Sequence, residues 1–257
     1  MTLQFLGTGT SQGIPVIQCK CRACRSVNAR DKRLRSSVWV RSKDQSILID
    51  IGPDFRQQAL RHKIYKVDAI LLTHEHADHT AGMDDIRPIN FAMGGKIPLY
   101  AERRVADDIR QRFYYVFGEQ EYPGLPQLGI KNITAGRTFS VGNVKINPIR
   151  IWHGKLGILG FKIGGLVYIT DARSIDDRVI ENIKGCEVLV INALRNREHH
   201  SHMSLEQALD HIRRIAPGKA FLTHISHQLG LHAEVNKTLG PDIRLAYDGL
   251  KVRLSDE

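Results

Sequence analysis

The sequence predicts an α/β fold built in layers, and two observations carry that expectation. Short runs rich in Ile, Val and Leu recur along the chain: LQFLG, SVWVR, SILIDI, AILLT, VKINPIRIW, ILGFKI, LVYIT, EVLVIN, KAFLT, IRLAY and LKVRL. Gly, Asp, Asn or Pro bound them, so they read as strands. Between some of them lie DFRQQALRH, RRVADDIRQRF, SIDDRVIENIK and SLEQALDHIRRI, whose apolar residues recur at helical spacing. Many strands with interspersed helices give a layered α/β domain. In the last of these helices Ser204 and Gln207 fit the capping box S-x-x-Q, which places its start near Leu205.

At 257 residues the chain is expected to form one domain over 1–257. A chain of this size buries roughly 70–75% of its unfolded surface and needs no disulfide staples. No stretch approaches ~18 continuous apolar residues, so no membrane span or membrane partner is expected. The start MTLQFLGTGTSQG lacks the pattern of a secretory leader. Three of the four cysteines are bunched in CKCRAC at 19–24, unlike a disulfide framework. Together these predict a cytoplasmic protein. The net charge of +10 suits an anionic partner, either a phosphate ester or a nucleic acid. The basic residues form no long block, which equally suits a solvated surface. The segment RFYYVFGEQEYPGLPQLG, residues 112–129, reads as a flap, an interface or a packed loop.

The sharpest feature is THEHADH at 73–79, directly after the apolar run of AILLT. His74, His76, Asp78 and His79 offer imidazole and carboxylate, which suit zinc, manganese or iron. The zincin pattern H-E-x-x-H fails here, because residue 78 is Asp. The spacing H-x-H-x-D-H fits a loop at a strand end serving two adjacent metals. His153, Asp171 and His224 are each the first strong ligand type after an apolar run. Each is therefore expected at a strand end, and the set converges on one sheet edge.

THEHADH, an isolated His, an Asp after a strand and a late His together resemble the metallo-β-lactamase superfamily. FLGTGTSQGIP and LIDIGPD resemble its first strands. CKCRAC and THISHQ resemble its PhnP-like group, the phosphoribosyl 1,2-cyclic phosphate phosphodiesterases. The resemblance implies a four-layer αββα sandwich, two mixed sheets flanked by helices. It implies that His74, His76 and His153 hold one metal, that Asp78, His79 and His224 hold the other, and that Asp171 bridges them. Two divalent ions, Mn or Zn, would then activate a hydroxide, because metal binding brings the pKa of water to about 7. It also implies a structural zinc on Cys19, Cys21, Cys24 and His227; Cys3His is a closed tetrahedral set. Iron–sulfur ligation and redox cysteines are the rivals, and Cys186 reads as buried and inert.

A leaving alkoxide needs a proton, and REHHSHMSLEQAL supplies candidates at 199, 200 and 202. Related phosphodiesterases carry a catalytic His just before such a helix, which favours His202 as general acid or phosphoryl-oxygen donor, with His200 next. Asp78 joins His202 as a catalytic candidate. Lys155 and Arg173 are candidate phosphate-binding cations, and Arg35, Ser36 and Ser37 candidate pocket residues. The expectation is a dinuclear-metal phosphodiesterase acting on small phosphodiesters, ribose-type cyclic ones included. A nuclease of the tRNase Z kind and a thioester or lactone hydrolase are the alternatives. The resemblance further implies a homodimer.

Overall fold

The computed structural model describes residues 1–42, 44–118, 122 and 124–255. Its strands are β1 (Thr2–Gly7), β2 (Ser37–Ser42), β3 (Gln45–Ile49), β4 (Ala69–Leu71), β5 (Ile97–Ala101), β6 (Leu128–Asn132), β7 (Phe139–Val141), β8 (Val144–His153), β9 (Leu156–Ile163), β10 (Leu166–Tyr168), β11 (Val188–Asn192), β12 (Lys219–Thr223), β13 (Ile243–Leu245) and β14 (Lys251–Arg253). Its α-helices are α1 (Arg22–Arg25), α2 (Phe55–His62), α3 (Ala77–Thr80), α4 (Arg87–Met93), α5 (Arg103–Arg112), α6 (Tyr114–Phe117), α7 (Asp177–Ile183), α8 (Leu205–Ile215) and α9 (His232–Thr238).

Two seven-stranded sheets form, in the orders β14-β1-β2-β3-β4-β5-β6 and β13-β12-β11-β10-β9-β8-β7. Both are mixed. The first is antiparallel from β14 to β3 and parallel from β3 to β6. The second is parallel from β10 to β13 and antiparallel from β10 back to β7. Alternation of side chains along each strand explains the layers. Val38, Val40, Ile47, Ile49, Val188 and Val190 point into the core shared by the two sheets. Trp39 and Leu48 point outward to meet Phe55, Val105 and Ile109 on helices. Leu189 and Ile191 meet Ile180, Ala208 and Ile212 on α7 and α8. Both faces of the central strands are thus buried, which is why they read as unbroken apolar runs. The result is the expected αββα sandwich.

Every run read as a strand in the sequence contributes to one, and α2, α5, α7 and α8 occupy the four helical patterns. The structure adds β5, β6 and β7, whose segments IPLYA, LGIKN and FSV carry Pro or Gly or are too short to show a period. Helix α8 starts at Leu205, and both halves of its capping box are present. Of the stretch 112–129, residues 119–121 and 123 lie outside the described residues; the described part ends α5, forms α6 and begins β6. Among the described residues no helix is long and apolar enough to cross a membrane.

The strand directions bring the C-terminal ends of β3, β4, β8, β10 and β12 to one edge. Backbone bonds stitch the two sheets together there: Leu159 donates to the Thr73 carbonyl at 3.0 Å, and Ile225 to the Thr8 carbonyl at 2.9 Å.

Candidate metal centre

The residues at that edge are held in unusual backbone conformations. Asp50, just after β3, has φ 63°; Asp171, after β10, has φ 56°; His224, after β12, has φ 52°. Left-handed backbone in a residue other than Gly costs roughly 1–3 kcal/mol and persists only where the surroundings impose it. Three strand ends paying it at one edge mark a site built for its side chains. Gly52 sits so close that a Cβ there would collide with the Asp78 carbonyl oxygen. The turn after β3 therefore locks against the start of α3, which carries Asp78 and His79.

Three ligand sets result, each with ligating atoms within 4.8 Å of one another: His74, His76 and His153; Asp78, His79, Asp171 and His224; and His153, Asp171 and His202. All seven metal-ligand candidates are brought together. Asp171 and His153 meet in the third set, which links the other two.

The outward nitrogens show how the rings are aimed. His74 Nδ1 meets Thr73 Oγ1 at 2.9 Å, His79 Nδ1 meets Asp50 Oδ2 at 2.7 Å, His153 Nδ1 meets the Ser201 carbonyl at 2.8 Å, and His224 Nδ1 meets Ser36 Oγ at 3.3 Å. Each bond leaves Nε2 facing the centre, the arrangement in which a ligating histidine's other nitrogen fixes tautomer and orientation. The inward atoms crowd together. His79 Nε2 lies 3.1 Å from Asp78 Oδ2 and 3.2 Å from Asp171 Oδ2. Despite that proximity it is buried with no properly directed hydrogen bond among the described residues, and His202 Nδ1 is likewise. His74 Nε2 meets His76 Nδ1 at 3.0 Å, but ligating atoms crowded together with two of them unpartnered fit a cation, and the imidazole and carboxylate set suits a divalent one.

Buried groups of both signs meet there. Burial disfavours a charged His79, yet Asp78, Asp171 and Asp50 outweigh it and hold its pKa well above the usual value. Burial also opposes ionisation of Asp171, but His224, His79 and His74 keep it ionised, well below the usual carboxylate range. Burial lowers the pKa of His74 and of His224, in the direction of the neutral form that ligation requires. Burial pushes His202 down to about 3.

His202 stands 3.7 Å from Asp171, its ring stacked on His224 with centroids 5.0 Å apart. His200 is exposed and joins none of the ligand sets, and His199 accepts from the Ser201 amide at 3.3 Å. Of the three, geometry places His202 at the centre. Glu75 pairs with Arg104, outside the ligand sets. Arg35 is tied to Asp54 at 3.0 Å, while Ser36 supports His224 and Ser37 donates to the Asp50 carbonyl at 2.8 Å. Arg173 stands 3.9 Å from Glu198, and Lys155 is exposed. Asp50 is the functional residue that sequence reasoning passed over. It follows the apolar run SILI as Asp171 follows LVYIT, so the same strand-end signal was there to find it.

The cysteines form a second cluster. Cys19, Cys21, Cys24 and His227 present ligand atoms within 4.8 Å of one another. Cys19 and Cys21 Sγ each lie 3.3 Å from His227 Nδ1. Burial opposes ionisation of Cys21, but the Cys24 amide and His227 bring it down to about 6. Burial raises Cys24 to about 11. The set fits a tetrahedral Cys3His metal site. Cys186 is buried far from it in the apolar core, its thiol raised by burial to about 11.

Sheets, edge and ligand sets together define the metallo-β-lactamase fold. The chain belongs to the family described as the beta-lactamase superfamily domain, which matches residues 45–225. A solved structure described as a new diphosphatase from the PhnP family is similar with a TM-score of 0.92 at 37% identity, covering 99% of this chain and 98% of that one. An octanoyltransferase of Porphyromonas gingivalis is 44% identical over 98% of this chain. This chain spans 51% of that protein's length. A ribonuclease Z of Bacillus subtilis is 28% identical over 60% of this chain and 46% of its own length.

Proposed function

We propose that the protein is a dinuclear-metal phosphodiesterase that hydrolyses small phosphodiesters, ribose-type cyclic ones among them. The observation that carries this reading is the placement of His202: an eighth polar side chain beside Asp171, additional to the seven ligand candidates. The likeness to the PhnP-family diphosphatase, at 37% identity over 99% of the chain, supports it.

Divalent ions bound there, Mn or Zn, would supply Lewis acidity and a water acidified to a pKa of about 7. The chain's own residues do the rest. Asp50, Thr73, Ser36 and the Ser201 carbonyl hold the histidine rings so that their inward nitrogens need no rearrangement on binding. Asp171 would offer its carboxylate to both ions. His202, neutral when no anion is present, offers an N–H to a phosphoryl oxygen. Contact with a phosphoryl anion favours its protonated form; a proton taken up from solvent then passes from it to the leaving alkoxide. Such a role is worth roughly 10²–10⁴ in rate. The cysteine cluster takes a structural zinc that pins the loop before β2 to the turn after β12. A cytoplasmic homodimer is the setting we propose.

Hydrolysis of bis(p-nitrophenyl) phosphate by metal-loaded protein, with Asp171→Asn as control, tests the reading. Turnover that vanishes in the control supports it, and inactivity of the metal-replete wild type refutes it. The octanoyltransferase relative favours one rival, acyl-thioester hydrolysis on the same centre. An octanoyl thioester run beside the phosphodiester separates the two, since the rival requires the thioester to be the faster substrate.

A further inference from the structure

The loop between β11 and α8 carries both His202 and the Ser201 carbonyl that orients His153. Its flank opens onto a cavity of about 530 Å³ lined by Arg195, Asn196, Arg197 and Gln228. Apolar packing therefore does not hold the loop on that side, and hydrogen bonds must. One guanidinium makes three of them. Arg195 Nε donates to the Arg197 carbonyl at 3.2 Å, Nη2 to the Glu198 carbonyl at 2.8 Å, and Nη1 to Gln228 Oε1 at 3.0 Å. Its own carbonyl accepts from the Leu205 amide at 2.9 Å, at the first residue of α8. No carboxylate lies within 4.0 Å of that guanidinium among the described residues, so its fork serves backbone geometry.

Gln228 directly follows His227, the histidine of the cysteine cluster. Asn196 makes a second tie to the same turn, donating to the Leu229 carbonyl at 3.3 Å. The Ser226 amide completes it by donating to the Leu194 carbonyl at 3.0 Å. The cluster is thus tied through His227 and Gln228 to Arg195, whose bonds reach the Arg197 and Glu198 carbonyls, and Ser201 and His202 follow along the same loop. Coupling between sites needs a contiguous network of this kind.

We propose that Arg195 is a positioning residue that couples the Cys19/Cys21/Cys24/His227 cluster to the loop presenting His202. The proposal deepens the phosphodiesterase reading and rests on it for the catalytic consequence. The planar fork matters more than the charge, because three acceptors at fixed angles cannot be matched by an ammonium. A supporting residue of this type typically contributes 10–100-fold to activity or metal affinity.

The test combines hydrogen–deuterium exchange of residues 197–203 with steady-state kinetics on bis(p-nitrophenyl) phosphate, in metal-replete full-length protein. Arg195→Ala and Arg195→Lys are both expected to speed exchange in the loop at least about 10-fold and to lower kcat about 10–100-fold. KM and metal content should change little. Gln228→Glu keeps an acceptor for Arg195 and should behave like wild type, whereas Gln228→Ala should show part of the defect. Cys24→Ser should speed exchange in the same loop. Wild-type exchange in Arg195→Ala, full rescue by Lys, or identical behaviour of Gln228→Ala and Gln228→Glu would each overturn the proposal. Should Arg195→Ala not fold, the Gln228 pair decides alone. Exchange is read without substrate, so it stands apart from any failure of the phosphodiester reading.

Discussion

Asp50→Asn is the substitution that most directly probes how the metal centre is built. Asp50 is fully buried and accepts from the Thr73 amide at 2.9 Å, from Thr73 Oγ1 at 2.9 Å and from His79 Nδ1 at 2.7 Å. The variant keeps the size, and Asn tolerates the left-handed backbone that the φ of 63° requires. Two things change: one acceptor is lost, and so is a negative charge that helps hold the His79 pKa up. With the amide nitrogen toward His79, two donors meet, and the ring relieves the clash by moving its proton to Nε2. That nitrogen is the one facing Asp78 and Asp171, and once protonated it cannot ligate. With the amide flipped, the Thr73 amide loses its acceptor instead. The flipped orientation leaves one buried group unsatisfied, at a cost of about 1–3 kcal/mol. Losses of 10–100-fold in metal affinity, the usual effect of removing a partner of a ligating histidine, correspond to about 1.4–2.7 kcal/mol. The two routes therefore agree in size. Chelator competition for zinc measures the affinity directly, and thermal melting of the apo protein measures the fold. Wild-type affinity in Asp50→Asn would refute the reasoning that Asp50 sets the tautomer of His79.

Three further outcomes are expected. His202→Ala should retain its metals by elemental analysis yet lose roughly 10²–10⁴ in phosphodiester turnover; full activity would move the role to His200. His227→Ala should lose one zinc equivalent and lower the melting temperature while leaving the seven ligands of the main centre occupied, as anomalous scattering at the zinc edge would report. Asp248 is partly buried, and burial raises its pKa to about 6, above the ~3.9 of an unfolded Asp. The native state then binds more protons between about pH 4 and 6, so stability falls as pH rises through that window. The difference amounts to roughly 3 kcal/mol. Urea denaturation of Asp248→Asn at pH 4 and pH 7 should lack this share of the slope, and an unchanged slope would exclude it.

Much of this protein could be read from its sequence because the governing physics is local. Strands buried on both faces need unbroken apolar runs, so SILI, LVYI and KAFL announce themselves without any knowledge of their neighbours. A polar residue able to ligate a metal, placed straight after such a run, can only lie at the sheet edge, which located His153, Asp171 and His224. The capping box at Ser204 and Gln207 fixed the start of α8, because its two bonds span three residues. Where the period was masked, as by Pro98 in IPLYA or by the brevity of FSV, the strands β5 and β7 were invisible until their partners were seen.

Tertiary structure decided what distance along the chain conceals. Cys19 and His227 are 208 residues apart, and only the stitching of β1 to the turn after β12 brings them to 3.3 Å. The choice among His199, His200 and His202 depended on which ring the loop turns inward, which the Ser201 and Arg195 contacts determine. Asp50 shows the division most plainly. Its position after a strand was written in the sequence, but its role came from a partner, His79, that approaches from another strand's loop. Local propensity and period specify each element; which side chains then face one another is fixed by how two sheets pack, and that is a property of the folded chain.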